Sequence, residues 1–264
     1  MRDFTMKSYK QLLVTLKEEG FQFIPFKDYS NPPSSRFVIL RHDVDARKEN
    51  SLESARIEHQ LGIRGTYYFR VVPQSYDEGV IKEIASLGHE IGYHYETMDT
   101  SNGDIDKAYN EFCTNLEKFR SLIPVTTICM HGSPLSKYDN RDIWKKYDYH
   151  SSGITGEPYF DMDFKKVLYL TDTGRRWNGE KVSVRDKVMN AANGKQGPDL
   201  TSRYQFRKTA DIISALKNDR FPDKVMITVH PQRWNDNLVS WMKEATLQNL
   251  KNPIKWLLIR RKGK

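Results

Sequence analysis

The sequence predicts a single α/β domain built on a parallel sheet, open or closed into a barrel, and three observations predict it. Helical stripes and short apolar strands alternate along most of the 264 residues, which is the rhythm of βα units. No internal repeat, low-complexity tract or evident linker divides the chain, and its length suits one domain of barrel size. Acids and histidines recur where apolar strands stop, the place where chemistry collects in parallel α/β folds.

Along the chain, residues 7–19 carry apolar side chains at helical spacing until Gly20 stops them. Asn31-Pro-Pro-Ser-Ser35 is a loop, and residues 36–42 form the first strand that leads into acids. A helix over 48–61 ends at Gly62, a strand covers Thr66–Arg70, and a helix over 77–87 closes at Gly88. Residues 89–94 form a strand. Residues 104–121 are the clearest amphipathic helix, with Ile105, Ala108, Phe112, Leu116 and Phe119 on one stripe. Pro124 restarts the chain, and Val125–Met130 is a strand ending at His131. A strand near 167–170, a helix near 208–217, a strand over Val225–Val229 ending at His230 and a helix near 236–249 complete the pattern. Residues 175–205, rich in Gly, Asn and Arg, read as a long loop or insertion over the site.

Composition narrows the class. Hydrophobic residues at 38% and aromatics at 12% supply a core. No apolar run reaches the length of a membrane span, and Met1–Lys7 holds no apolar signal core, so the expected compartment is the cytoplasm. Cys113 and Cys129 make no disulfide framework and read as small buried hydrophobes; metal ligation is the other reading, which no CxxC neighbour supports. The formal charge of +8 gathers in part at the C-terminus, on Lys251, Lys255, Arg260, Arg261, Lys262 and Lys264, beside the apolar run Ile254–Ile259. A weak peripheral membrane contact is one reading of that end; a packed final element with a solvated basic tip is the other. No nucleic-acid motif is present, and the sequence does not determine the oligomeric state.

Two segments carry the chemistry. In Phe37-Val-Ile-Leu-Arg-His-Asp-Val-Asp45 the two-residue strand period puts Arg41, Asp43 and Asp45 on one face. Carboxylates this close repel unless a cation, a shared proton or water compensates, and a divalent metal does so most directly. In Leu87-Gly-His-Glu-Ile-Gly-Tyr-His-Tyr-Glu-Thr-Met-Asp99, His94 and Glu96 share a face, and imidazole with carboxylate suits zinc and its first-row neighbours. His131 and His230 stand at later strand ends, whereas His42, His59 and His89 read as structural.

The order of these motifs resembles the NodB-type polysaccharide deacetylases. An acidic pair, then Gly88-His-Glu-Ile-Gly-Tyr-His94, then a late strand-end histidine follow the family's sequence. The nearest likeness is to its Arg-His-Asp-Val-Asp branch, associated with surface-polysaccharide synthesis. The resemblance implies a distorted, often incomplete (β/α) barrel that removes acyl groups, usually acetyl, from sugars with one divalent ion, zinc first among candidates. It implies Asp43 as catalytic base, Asp45 and His94 as metal ligands, and His230 as the acid that protonates the leaving amine. The family's second metal histidine falls on Met98 here, so His131 or Glu96 would replace it. Asp172-Thr-Gly-Arg-Arg-Trp177 loosely matches a motif that orients the late histidine and lines the cleft. Arg175, Arg176 and Trp177, with Arg41 and Asp172, are therefore expected on the substrate side. Trp faces stack on sugar rings, and Arg forks would grip a diphosphate-linked sugar. Arg41 equally reads as a plain ion-pair partner of Asp43. The alternatives are a hydrolase of a non-sugar C–N bond (formamide, ureide or cyclic imide) and a metal-free carbohydrate-binding relative.

Overall fold

The apolar run Phe37–Val44 (β2) forms the middle of the sheet. A computed structural model of the chain describes residues 2–133, 136–177, 200 and 203–262, the side chains of 254–262 excepted. Before β2 come α1 (Met6–Glu18) and β1 (Gln22–Ile24); after it come α2 (Lys48–Gln60), β3 (Thr66–Phe69), α3 (Glu78–Ser86), β4 (Glu90–Tyr95), the single turn α4 (Thr97–Thr100) and α5 (Ile105–Arg120). The remainder comprises β5 (Ile128–Met130), the turn α6 (Pro158–Asp161), β6 (Leu168–Thr171), α7 (Thr209–Lys217), β7 (Lys224–Val229) and α8 (Leu238–Lys262).

The strands pair in parallel in the order β5-β4-β3-β2-β7-β6. One edge of β2 takes β7; the other takes β1 over Phe37–Ile39 and β3 over Arg41–Val44. A bridge from Thr127 to Gly156 extends the β5 edge, and among the described residues nothing pairs that edge with β6. The result is an incomplete (β/α) barrel.

Alternation along β2 sorts the core. Val38 and Leu40 pack with Leu12 and Leu16 of α1 and Ile212 and Leu216 of α7, whereas Phe37 and Ile39 belong to the second cluster. That second cluster includes the stripe Ala108, Phe112, Leu116 and Phe119 of α5, a helix started by Asp104 accepting from Lys107 N. Burying one such phenylalanine contributes roughly 2–3 kcal/mol. With apolar residues holding both faces of the lower sheet, the polar ends of β2, β4, β5 and β7 are left to form one rim.

Several boundaries differ from the sequence expectation. β2 runs to Val44, so Asp43 lies within the strand and not beyond it. β1, at three residues, is too short to show an alternating pattern. β5 begins at Ile128, and Thr127 before it is held by its bridge to Gly156 and by its carbonyl accepting from Tyr93 N at 3.3 Å. The final helix extends through Pro253 to Lys262. Most of the loop expected over 175–205 lies outside the described residues, as do the side chains of the basic C-terminal end. No helix among the described residues is long and apolar enough to cross a membrane. Leu238, Val239, Met242, Leu247 and Leu250 of α8 are exposed.

Candidate active site and metal centre

β2 delivers Arg41 and Asp43 from inside the barrel and Asp45 just past its end. The Arg41 guanidinium forks onto Asp43, with Nε 2.8 Å from Oδ1 and Nη2 2.6 Å from Oδ2. Both side chains are buried, and Arg41 is also packed against the rings of Tyr159 and Tyr68. Such a two-pronged pair fixes the carboxylate's orientation as well as its charge. Asp45 is less enclosed, its side chain 23% exposed. Burial raises its pKa, but His94, His131 and His230 outweigh burial and hold the carboxyl well below its ordinary range.

Three imidazoles meet at Asp45. His94 Nε2 and His131 Nε2 each lie 3.6 Å from Oδ1, and His230 Nε2 lies 3.9 Å from Oδ2. Gln232 donates to Oδ2 at 3.2 Å, while the buried Oδ1 receives no hydrogen bond. A separation of 3.6 Å is too long for a hydrogen bond. It is close to the roughly 3.3 Å that separates two ligand atoms bound at about 2.0–2.2 Å to a tetrahedral ion.

The ring orientations suit that arrangement. His94 Nδ1 bonds the Cys129 carbonyl at 2.9 Å, which places its proton there and leaves Nε2 with a lone pair facing Asp45. Glu96 Oε2 lies 2.9 Å from His131 Nδ1, although the alignment falls short of a hydrogen bond. Arg70 forks onto Glu96 at 3.1 and 2.6 Å and donates to the Asp45 carbonyl at 3.2 Å. Burial raises the Glu96 pKa, and His131 and Arg70 together bring it down to about 2. Asp45 Oδ1 thus has two imidazole nitrogens at distances compatible with sharing an ion, and Glu96 lies behind His131 on its other nitrogen.

A second group overlaps the first. Single ligand atoms of Asp43, His94 and Cys129 all lie within 4.8 Å of one another, and all three residues are buried. The sequence reads Cys129 first as an apolar filler; the structure brings its thiol toward Asp43 and His94, with β4 and β5 pairing His94 with Cys129.

His230 is held from behind. Asp172 Oδ1 lies 2.6 Å from His230 Nδ1, and Oδ2 accepts the His230 backbone N–H at 3.0 Å. Arg233 donates to Asp172 at 2.5 Å and Trp234 Nε1 at 2.7 Å. Burial raises the Asp172 pKa, but Arg233 and His230 bring it below its ordinary value. For His230, burial and the Arg233 charge push downward, while Asp172 and Asp45 outweigh them and raise its pKa. Asp43, Asp45, Glu96 and Asp172 face Arg41, Arg70 and Arg233, leaving one formal negative charge over neutral imidazoles. A buried surplus of this sign favours a cation.

The expected substrate contacts are placed otherwise. Trp177 is 2% exposed and packs beside Phe4 and Trp234, its indole N–H donated to Thr209. It is a core residue and offers no face to a sugar. The Arg175 guanidinium lies against the rings of Phe4 and Trp241 and bonds the Arg233 carbonyl. Arg41 and Asp172 are spent on Asp43 and His230 in the same way, and Arg176 is half-buried. Hydrophobic packing of the Phe4 segment accounts for Trp177 and Arg175, since it draws both rings and guanidinium inward. Arg70, Gln232, Arg233 and Trp234 were not foreseen as site residues. Arg70 stands just past β3 and obeys the strand-end rule that found the others, whereas Arg233 and Trp234 sit in a helical turn after His230 and give no such signal.

No family model matches the chain, and no curated protein matches it. Among solved structures it is similar to the CE4 domain of a multidomain xylanase from the hindgut metagenome of Trinervitermes trinervoides, at 12% identity over 87% of this chain and 92% of that one, TM-score 0.42. It is also similar to a mutant of the peptidoglycan deacetylase PdaC from Bacillus subtilis, at 9% identity over 85% and 98%, TM-score 0.39. At this distance the likeness assigns no reaction.

Proposed function

We propose that this chain is a metal-dependent hydrolase that removes an acyl group, acetyl first, from an amino sugar. The observation that carries the reading is the convergence of His94 and His131 Nε2 on the unpartnered Asp45 Oδ1, beside a base candidate and a backed histidine. A divalent ion there would supply Lewis acidity, polarising an acyl carbonyl and making water acidic near neutral pH.

The chain's own residues do the rest. Each Asp43 oxygen uses one lone pair on Arg41 and keeps another, so the carboxylate accepts the proton of the attacking water while its orientation stays fixed. His230, whose pKa Asp172 and Asp45 raise against burial and Arg233, stands to donate a proton from Nε2 to the departing nitrogen, because an amide nitrogen leaves poorly as an anion. Arg233 and Trp234 keep Asp172 in place for that task. With the half-buried Arg175 guanidinium engaged by the Arg233 carbonyl and the Trp241 ring, the arginine pair expected to grip a diphosphate-linked sugar is partly committed elsewhere. A free or polymeric N-acetylated glycan is the first substrate to test. Met98 is buried and its N–H bonds Asn140, so the position of the family's second histidine is ordinary core here, and His131 serves instead.

The test is a panel of N-acetyl sugars and small amides, scored by release of the acid. Acetate release from a sugar is expected, with Asp43→Asn reducing turnover about 10²–10⁴-fold while the metal stays bound. Asp45→Ala is expected to lose the metal. Wild-type turnover by Asp43→Asn would remove Asp43 as base, and hydrolysis of small amides alone would move the reading to non-sugar C–N bonds.

A further inference from the structure

We infer that Asp43, His94 and Cys129 form a second cation site, selective for thiophilic divalent ions and inhibitory when filled. Carboxylate oxygen, imidazole nitrogen and thiol sulfur lie within 4.8 Å of one another, and all three residues are buried. Thiolate donors select zinc, cadmium and similar ions and leave magnesium and calcium aside. Selectivity is sharpened by Arg41, whose fork already holds Asp43. An incoming ion competes with that guanidinium, and only one that gains a bond to sulfur offsets the loss. Binding releases the thiol proton to solvent.

Inhibition follows from a shared atom. His94 Nε2 lies 3.6 Å from Asp45 Oδ1 and 3.8 Å from Asp43 Oδ2, so the same lone pair faces both ligand sets. It can serve one ion at a time. An ion in the inner set takes His94 from Asp45 and His131, and it occupies the oxygen assigned as the base. The inhibitory half rests on the hydrolase reading above; the binding half stands on geometry alone.

The experiment is a cadmium titration of the whole chain, followed by the ultraviolet thiolate-to-cadmium charge-transfer band. The band is expected in the wild type and in Cys113→Ala, and its loss in Cys129→Ala. That substitution keeps the Cys129 carbonyl that orients His94. Cys129→Ser, nearer in volume, gives the same readout should alanine unfold the protein. Cadmium binding without a band, or a band that survives loss of Cys129, would overturn the site. On a substrate that is turned over, cadmium is expected to inhibit the wild type and spare Cys129→Ala; equal inhibition of both would overturn the inhibitory role. The band needs no turnover, so failure of the hydrolase reading leaves the binding test intact.

Discussion

Glu96 shows how a single side chain changes meaning between sequence and structure. The two-residue strand rule offers it as a ligand beside His94. In the fold its two oxygens are taken by Arg70, and it reaches only the far nitrogen of His131. A carboxylate behind a ligating histidine fixes the ring and raises its basicity. Glu96→Gln is therefore expected to weaken metal affinity about 10–100-fold without abolishing it, measured by competition with a chelator. His131→Ala, which deletes a proposed ligand, is expected to lose more. Unchanged affinity in Glu96→Gln would mean that His131 needs no orienting partner.

At the scale of elements, β4 reaches the site because Gly92 lets a neighbour through. The Tyr68 ring crosses Gly92 and extends to Thr127 Oγ1 at 3.3 Å, filling the barrel beside His94. A Cβ on Gly92 would stand 2.3 Å from Tyr68 Cε1 and 2.9 Å from the Thr127 carbonyl oxygen. The ring cannot turn away cheaply, since it is fully buried between strands. Gly92→Ala is expected to cost about 1–3 kcal/mol, as overpacking does, read as a lower denaturant midpoint with an unchanged slope. An unaltered midpoint would show that Tyr68 has another rotamer open to it.

At the scale of the whole molecule, burial raises the titration of Glu157 far above the ordinary carboxyl range. Glu157, fully buried, accepts N–H bonds from Met130 at 3.0 Å and Tyr159 at 2.5 Å. Burial raises its pKa from 4.5 to about 7 despite those donors and the nearby Arg41 and Arg141 charges. The folded state therefore holds the proton more tightly than the unfolded state. Its stabilising contribution is complete below 4.5 and is lost as the pH rises to about 7. The shift corresponds to roughly 3 kcal/mol. Stability of the wild type is expected to fall across that window, and Glu157→Gln to flatten the fall. Parallel pH curves for the two proteins would place the titration elsewhere.

The sequence by itself determined the parallel α/β plan and the gathering of acids and histidines at strand ends. Periodicity and glycine stops are local, and a strand whose last residues are Arg41, Asp43 and Asp45 presents them together whatever surrounds it. His94, His131 and His230 were legible for the same reason. Tertiary structure alone decided which of these groups meet. The β4–β5 register brought Cys129 and His131 beside His94, Arg70 claimed Glu96, and the Phe4 segment drew Trp177 into the core and holds the half-buried Arg175 guanidinium against its ring. Such partners lie far apart in the chain, and no local pattern encodes their distance. Register, packing and the competition for each buried charge are settled only when the strands are side by side.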